Sequence, residues 1–97
     1  MPMIDVAVVI VSWNVRDYLA ECLRSVYIDL ARSRLIGKVW VVDNGSTDGT
    51  LELLKDIFTD THVISNGRNI GFGAANNQGM QAAMAAAPRY FLSLIHI

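Results

Sequence analysis

The spacing of apolar residues changes period several times along this chain. Asp5–Ser12 (DVAVVIVS) is β-branched and almost continuously apolar, the pattern of a strand buried on both faces. Val15, Tyr18, Leu19, Cys22, Leu23, Val26 and Leu30 then recur at helical spacing. Asn14, with Asp17 three residues on, supplies a start for that helix. It is expected to run to Arg32 or Arg34, with its cations near the C-terminal end, before Gly37 breaks it. Val39–Asp43 predicts a second strand. Ser46, Thr47 or Asp48 is placed to cap a second helix, with Leu51, Leu54, Ile57 and Phe58 on its buried side. His62–Ser65 reads as a short third strand and Asn66–Phe72 as a loop rich in Asn and Gly. A third, alanine-rich helix is expected from Gly73 or Ala74 to about Ala86; Pro88 ends it, and Tyr90–Ile95 reads as a fourth strand.

The alternation is β-α-β-α-β-α-β. Short strands separated by helices imply right-handed crossovers and an α/β fold with a mainly parallel sheet. The expected strand order is 3-2-1-4, with the switch point between strands 1 and 4. In such sheets a ligand lies beyond the C-terminal ends of the strands. Three polar clusters are brought to that end: Ser12-Trp13-Asn14, Asp43-Asn44 and Asn69–Asn77.

Composition narrows the setting. The chain has 97 residues, 53% of them hydrophobic, which makes one small domain or a piece of a larger one. A mean hydropathy of +0.34 is high at this length and implies strands covered on both faces, or surfaces that meet further chain. A net charge of −1 gives no argument for nucleic acid or an anionic membrane. The single cysteine, Cys22, excludes an intrachain disulfide and fits a cytoplasmic, reducing setting; on the apolar side of the first helix it reads as inert core. Apolar runs such as Val6–Val11 are too short to cross a bilayer, and no basic segment precedes them as in a signal peptide. The triplet Asn44-Gly45-Ser46 matches an N-glycosylation site, but with no secretion signal it is read as chance.

Among candidate site residues Asp43 leads. A carboxylate at a strand tip can accept a hydrogen bond from a nucleobase or a ribose hydroxyl, although Asp-Asn-Gly is also ordinary turn chemistry. Asp48 reads as a helix cap. A calcium loop is excluded, because with Asn44 first and Gly49 sixth the twelfth position is Lys55 rather than an acid. Ser12, Trp13 and Asn14 either offer donors to a base or phosphate, or serve as strand end, core tryptophan and helix cap. Arg68 to Asn77 (RNIGFGAANN) is a helix-leading loop whose free N–H groups suit an anion. Gly71 and Gly73 echo a dinucleotide fingerprint, but the loop follows the third strand, and Asn76 stands where a third glycine belongs. Arg68 either faces a diphosphate or is solvated, and Asn76 and Asn77 at a helix start point to a polar function. His62 and His96 are far apart, with no Cys or acid at ligand spacing, so no metal site is predicted.

Three segments, VAVVIVSWN, VWVVDNGSTDGT and NGRNIGFGAANNQGM, together resemble the N-terminal nucleotide-binding half of family 2 glycosyltransferases, especially the rhamnosyltransferase-like group. The resemblance covers about residues 5–92. It implies a Rossmann-like nucleotide-diphospho-sugar transferase fold of the GT-A type. It further implies that Ser12–Asn14 help form the nucleotide pocket, that Asp43 hydrogen-bonds the base, with Asn44 beside it, and that Gly71, Gly73, Asn76 and Asn77 line the nucleotide-sugar cleft. The implied reaction moves a sugar from a nucleoside diphosphate (UDP, dTDP or GDP type) to an acceptor hydroxyl. A divalent cation, Mg²⁺ or Mn²⁺, offsets the diphosphate charge and a carboxylate acts as base. Related enzymes often act at the inner membrane face.

The pattern departs at the end of the fourth strand. The family has a segment like YFLLLNPD there, ending in an acid that binds metal and diphosphate; this chain has YFLSLIHI, with Ile97 in the acid's place. The expectation is a partial domain over 1–97 with an atypical tail at 93–97, inactive alone, unable to bind the cation through an acidic motif, and prone to self-association through exposed sheet surface. Two other readings are a complete, non-catalytic nucleotide-binding module and a small response-regulator-like interaction domain. The second suffers because Asp5 begins strand 1 rather than ending it and Asp43 has no acidic neighbour.

Overall fold

The computed structural model describes residues 3–94. Strands β1 (Val6–Ser12), β2 (Gly37–Asp43), β3 (His62–Ser65) and β4 (Tyr90–Leu94) alternate with helices α1 (Arg16–Ser33), α2 (Thr50–Asp56) and α3 (Phe72–Met84). The strands form one sheet in the order β3-β2-β1-β4, and every neighbouring pair is parallel. This is the α/β architecture and strand order expected from the alternation, and it fits the Rossmann-like fold that the resemblance implies. Central β1 pairs with β2 from Val6↔Gly37 to Ser12↔Asp43 and with β4 from Val6↔Tyr90 to Ile10↔Leu94.

Strand alternation sorts the core onto two faces. Val8 and Ile10 of β1 and Val39 and Val41 of β2 meet Leu19 and Leu23 of α1 and Leu54 of α2 on one side. Ala7, Val9, Val11, Trp40 and Val42 point the other way, toward Ala75 and Ala83 of α3. Small residues let α3 sit close to the sheet. A Cβ on Gly79 would fall onto Val9 Cγ1 and within 3.1 Å of Val42 Cγ2. On the outer strand Tyr90, Phe91 and Leu92 remain exposed.

Several expectations change. Gly37 does not break α1; it opens β2, and the helix ends where Arg34 takes a left-handed conformation (φ 62°). Ile57 is not core: α2 stops at Asp56, so the helical spacing no longer applies, and Ile57 is 66% exposed. The third helix starts slightly earlier than expected, at Phe72, and ends at Met84. Of the expected strand end and tail, Ile95 and residues 96–97, with His96 and Ile97, lie outside the described residues, whereas Ser93 and Leu94 belong to β4.

Candidate functional site at the strand tips

The helices run back against the strands, so all three helix N-termini gather at the C-terminal edge of the sheet, with the loops that follow β1, β2 and β3. Two of these loops are tied into a single block. Asn14, in a left-handed conformation (φ 51°), donates its N–H to Ser46 Oγ at 2.9 Å and accepts the Thr47 N–H on Oδ1 at 2.8 Å. Asp48 then caps two helices at once. Its Oδ2 accepts the N–H of Arg16, first residue of α1, at 2.9 Å, and its Oδ1 accepts the N–H of Thr50, first residue of α2, at 3.2 Å, together with the Thr50 hydroxyl. Its pKa reflects this: slight burial raises it, but the bonds from Thr50 and Arg16 outweigh that and hold it below the ordinary carboxylate value. Asn14 is therefore not the α1 cap that its position beside the helix implied; the cap comes from a residue far along the chain.

Asp43 is fully buried, and both of its oxygens are engaged within the turn. Oδ2 accepts the Ser46 N–H at 3.0 Å and Oδ1 accepts the Ser46 hydroxyl. Its side chain shares the α1/α2 face of the sheet with Val39 and Val41, and Ser12 shares that face with Val8 and Ile10. Ser12 Oγ is buried with no hydrogen-bond partner among the described residues.

The other face holds the hollow. Val11, Trp13, Asn44, Asn69 and Phe72 line a cavity of about 110 Å³. Trp13 lies just beyond the end of β1 and is 49% exposed, so it is a wall of this hollow and not a core tryptophan; Trp40 holds that place, 6% exposed and stacked on His62 at 4.9 Å. Phe72 opens α3 on the same rim and is 37% exposed. Asn44 is only 3% exposed, which also removes it as a glycan acceptor. Its Nδ2 donates to Asn69 Oδ1 (3.4 Å) and to the Gly71 carbonyl (3.2 Å), and its Oδ1 accepts from Asn66 Nδ2 (3.0 Å) and the Ile70 N–H (3.5 Å). Gly45 permits the crossing beneath this loop: its φ is +89°, and a Cβ there would stand 2.7 Å from the Arg68 Cα.

The predicted residues thus fall into two groups. Trp13 and Asn44 line the hollow, and the Gly71 carbonyl accepts from the Asn44 amide. Ser12 and Asp43 lie on the opposite face, beneath the 44–48 turn. Gly73 sits in the first turn of α3 with open space around it, and Asn77 is exposed. Asn76 accepts the Ser93 hydroxyl at 2.6 Å. The N-cap position of α3 is Gly71, which has no side chain to offer, whereas Asp48 serves both α1 and α2. Phe72, Asn66 and Gln78 were not singled out by sequence. The glycine-flanked aromatic was a usable signal for Phe72; for the two amides there was none.

Larger hollows lie elsewhere, among them one of about 260 Å³ beside Asn14 and Asp48 and one of about 130 Å³ beside Tyr27 and Phe58. One of about 570 Å³ borders Lys38, Asp60 and His62 at the N-terminal ends of β2 and β3, the wrong edge for a loop-built ligand site. Another of about 450 Å³ is an outer groove between Arg16 and Ile57 along α2. Among the described residues no three His, Cys, Asp or Glu side chains are grouped to hold a metal. With Asp43 occupied by Ser46, this part of the chain does not fit the divalent cation that the resemblance implies. No helix of the described residues is long and apolar enough to cross a membrane.

Known proteins share this arrangement in sequence. The family model for glycosyl transferase family 2 matches residues 7–92, from β1 into β4. The chain belongs to glycosyl transferase family 2. A relative from Bacillus subtilis (strain 168), named for a glycosyltransferase of teichuronic acid biosynthesis, TuaG, is 33% identical over 81 residues. That alignment takes in 80% of this chain and 31% of the relative, so the chain spans about a third of that protein. The family match includes every residue that lines the hollow.

Proposed function

We propose that this chain carries the nucleotide-binding part of a sugar transfer from a nucleoside diphosphate to an acceptor hydroxyl, and that alone it binds without turning over. In that reaction the bond from the anomeric carbon to the diphosphate breaks, a new bond to the acceptor oxygen forms, and a carboxylate base takes the acceptor proton. The observation that carries the reading is the hollow between Trp13 and Phe72, inside the family 2 match. Exposed aromatic walls at a strand-tip crevice favour a planar ring. At about 110 Å³ the hollow is far below the roughly 300 Å³ at which small-molecule sites begin, so it suits one ring and not a whole nucleotide sugar. The N-terminal end of α3 next to it carries the positive end of the helix dipole, which favours the diphosphate. Asp43 is fully buried beneath the 44–48 turn, so it meets the base only after that turn moves. The setting proposed is cytoplasmic, and the exposed β4 surface is proposed to self-associate.

The test is a thermal-shift titration of the full chain with UDP, dTDP and GDP, with and without Mn²⁺. At ten times Kd a binder adds about 1.4 kcal/mol to stability. Trp13→Ala is the control, because Trp13 is half exposed, whereas Asp43→Ala would open a turn. A shift with one nucleotide class that disappears in Trp13→Ala is the expected result. No shift with any of them, or an equal shift in the variant, would remove the assignment.

A further inference from the structure

The hollow's polar wall is held by a chain of amides that begins outside it. Gln78, on the second turn of α3, accepts a hydrogen bond on Oε1 from Asn66 Nδ2 at 2.8 Å. The same Asn66 amide group donates to Asn44 Oδ1, and Asn44 bonds Asn69, Ile70 and Gly71. Asn69 Oδ1 closes the loop by accepting the Gly71 N–H at 2.8 Å.

A primary amide is a donor on one side and an acceptor on the other. Turning Asn44 over would set its NH₂ against the Asn66 NH₂ and the Ile70 N–H, and its oxygen against the Gly71 carbonyl. Turning Asn66 and Gln78 over with it would repair the first of these contacts but not the two with backbone. Backbone at 70–71 therefore fixes one polarity for the whole relay, and the relay in return fixes the backbone. Asn44 is 3% exposed, so water does not readily replace a lost partner.

We infer that Gln78 is a positioning residue for the nucleotide site: through Asn66 and Asn44 it sets the 69–71 loop, whose Asn69 lines the hollow and which leads into α3. The inference rests on the nucleotide reading for its affinity arm alone. Gln78→Met removes the acceptor at nearly constant size, and Gln78→Glu keeps an acceptor. Amide hydrogen exchange on the full chain without ligand is read first. In Gln78→Met the Ile70 and Gly71 amides are expected to exchange about 2- to 12-fold faster, the net worth of one hydrogen bond, while Leu23 in α1 stays unchanged and Gln78→Glu restores the wild-type rate. Nucleotide affinity, taken from the UDP and dTDP titrations, is expected to fall by a similar factor in Gln78→Met and to recover in Gln78→Glu. Unchanged exchange at 70–71 in Gln78→Met, equal loss in both variants, or an acceleration spread over Leu23 as well would overturn the inference. If no nucleotide binds the wild-type chain, the functional reading falls, and the exchange arm still decides the positioning of the loop.

Discussion

Replacing Asp48 by alanine should remove the N-terminal caps of two helices in one step. Each cap is worth about 1 kcal/mol, within a range of about 0.5–2. With Arg16 and Thr50 both losing their acceptor, the expected loss is about 2 kcal/mol. For a domain of this size that lowers Tm by about 8–16 °C. Asp48→Asn keeps one acceptor oxygen and should cost about half as much. The assay is a urea or thermal melt of wild type, Asp48→Asn and Asp48→Ala across pH. Because the folded pKa lies below the ordinary 3.8, the contribution is complete above that pH. It drains away as pH falls through the lower folded value, so the gap between wild type and Asp48→Ala narrows in acid. A gap under about 0.5 kcal/mol at neutral pH, or one that stays constant into strong acid, would refute the double cap.

Four further substitutions test other parts of the structure. Gly79→Val should destabilise by at least about 1–3 kcal/mol in a urea melt, since the new side chain meets Val9 and Val42 beneath α3. Gly45→Ala should also lower the urea midpoint, by about 1 kcal/mol or more, because a left-handed turn is combined with a close backbone crossing at Arg68. Ile57→Ser should stay within about 0.5 kcal/mol of wild type, whereas Leu54→Ala, buried one turn earlier, should cost about 2–5 kcal/mol.

The fold was legible because the two central strands are buried on both faces. Val6–Val11 and Val39–Val42 need no partner to be recognised, and parallel strands with helical crossovers leave few orders to choose from. Local rules failed where the partner is distant. Asn14 looked like a cap because it precedes a helix, but the α1 cap is Asp48, which reaches Arg16 from the next loop. Arg34 carries the left-handed C-cap with no glycine to announce it. Ile57 followed a period that the helix abandons one residue earlier. The site was legible as a set of loops but not as faces. Trp13 stands past the strand's last residue, so alternation cannot say where it points. Asp43 and Asn44 are adjacent in sequence, yet they serve opposite sides of the sheet.

The register of β1 also bears on synthesis. Its inner partner, β2, is made soon afterwards, but its other partner is β4, close to the far end of the described chain. At about 5–20 residues per second, β1 waits several seconds on the ribosome with one edge unpaired. Closing so long a loop also comes late, because its entropy must be met before the pairing returns anything. The β1–α1–β2 unit is thus the natural nucleus, and the nascent chain's most exposed moment falls between the emergence of α3 and that of β4.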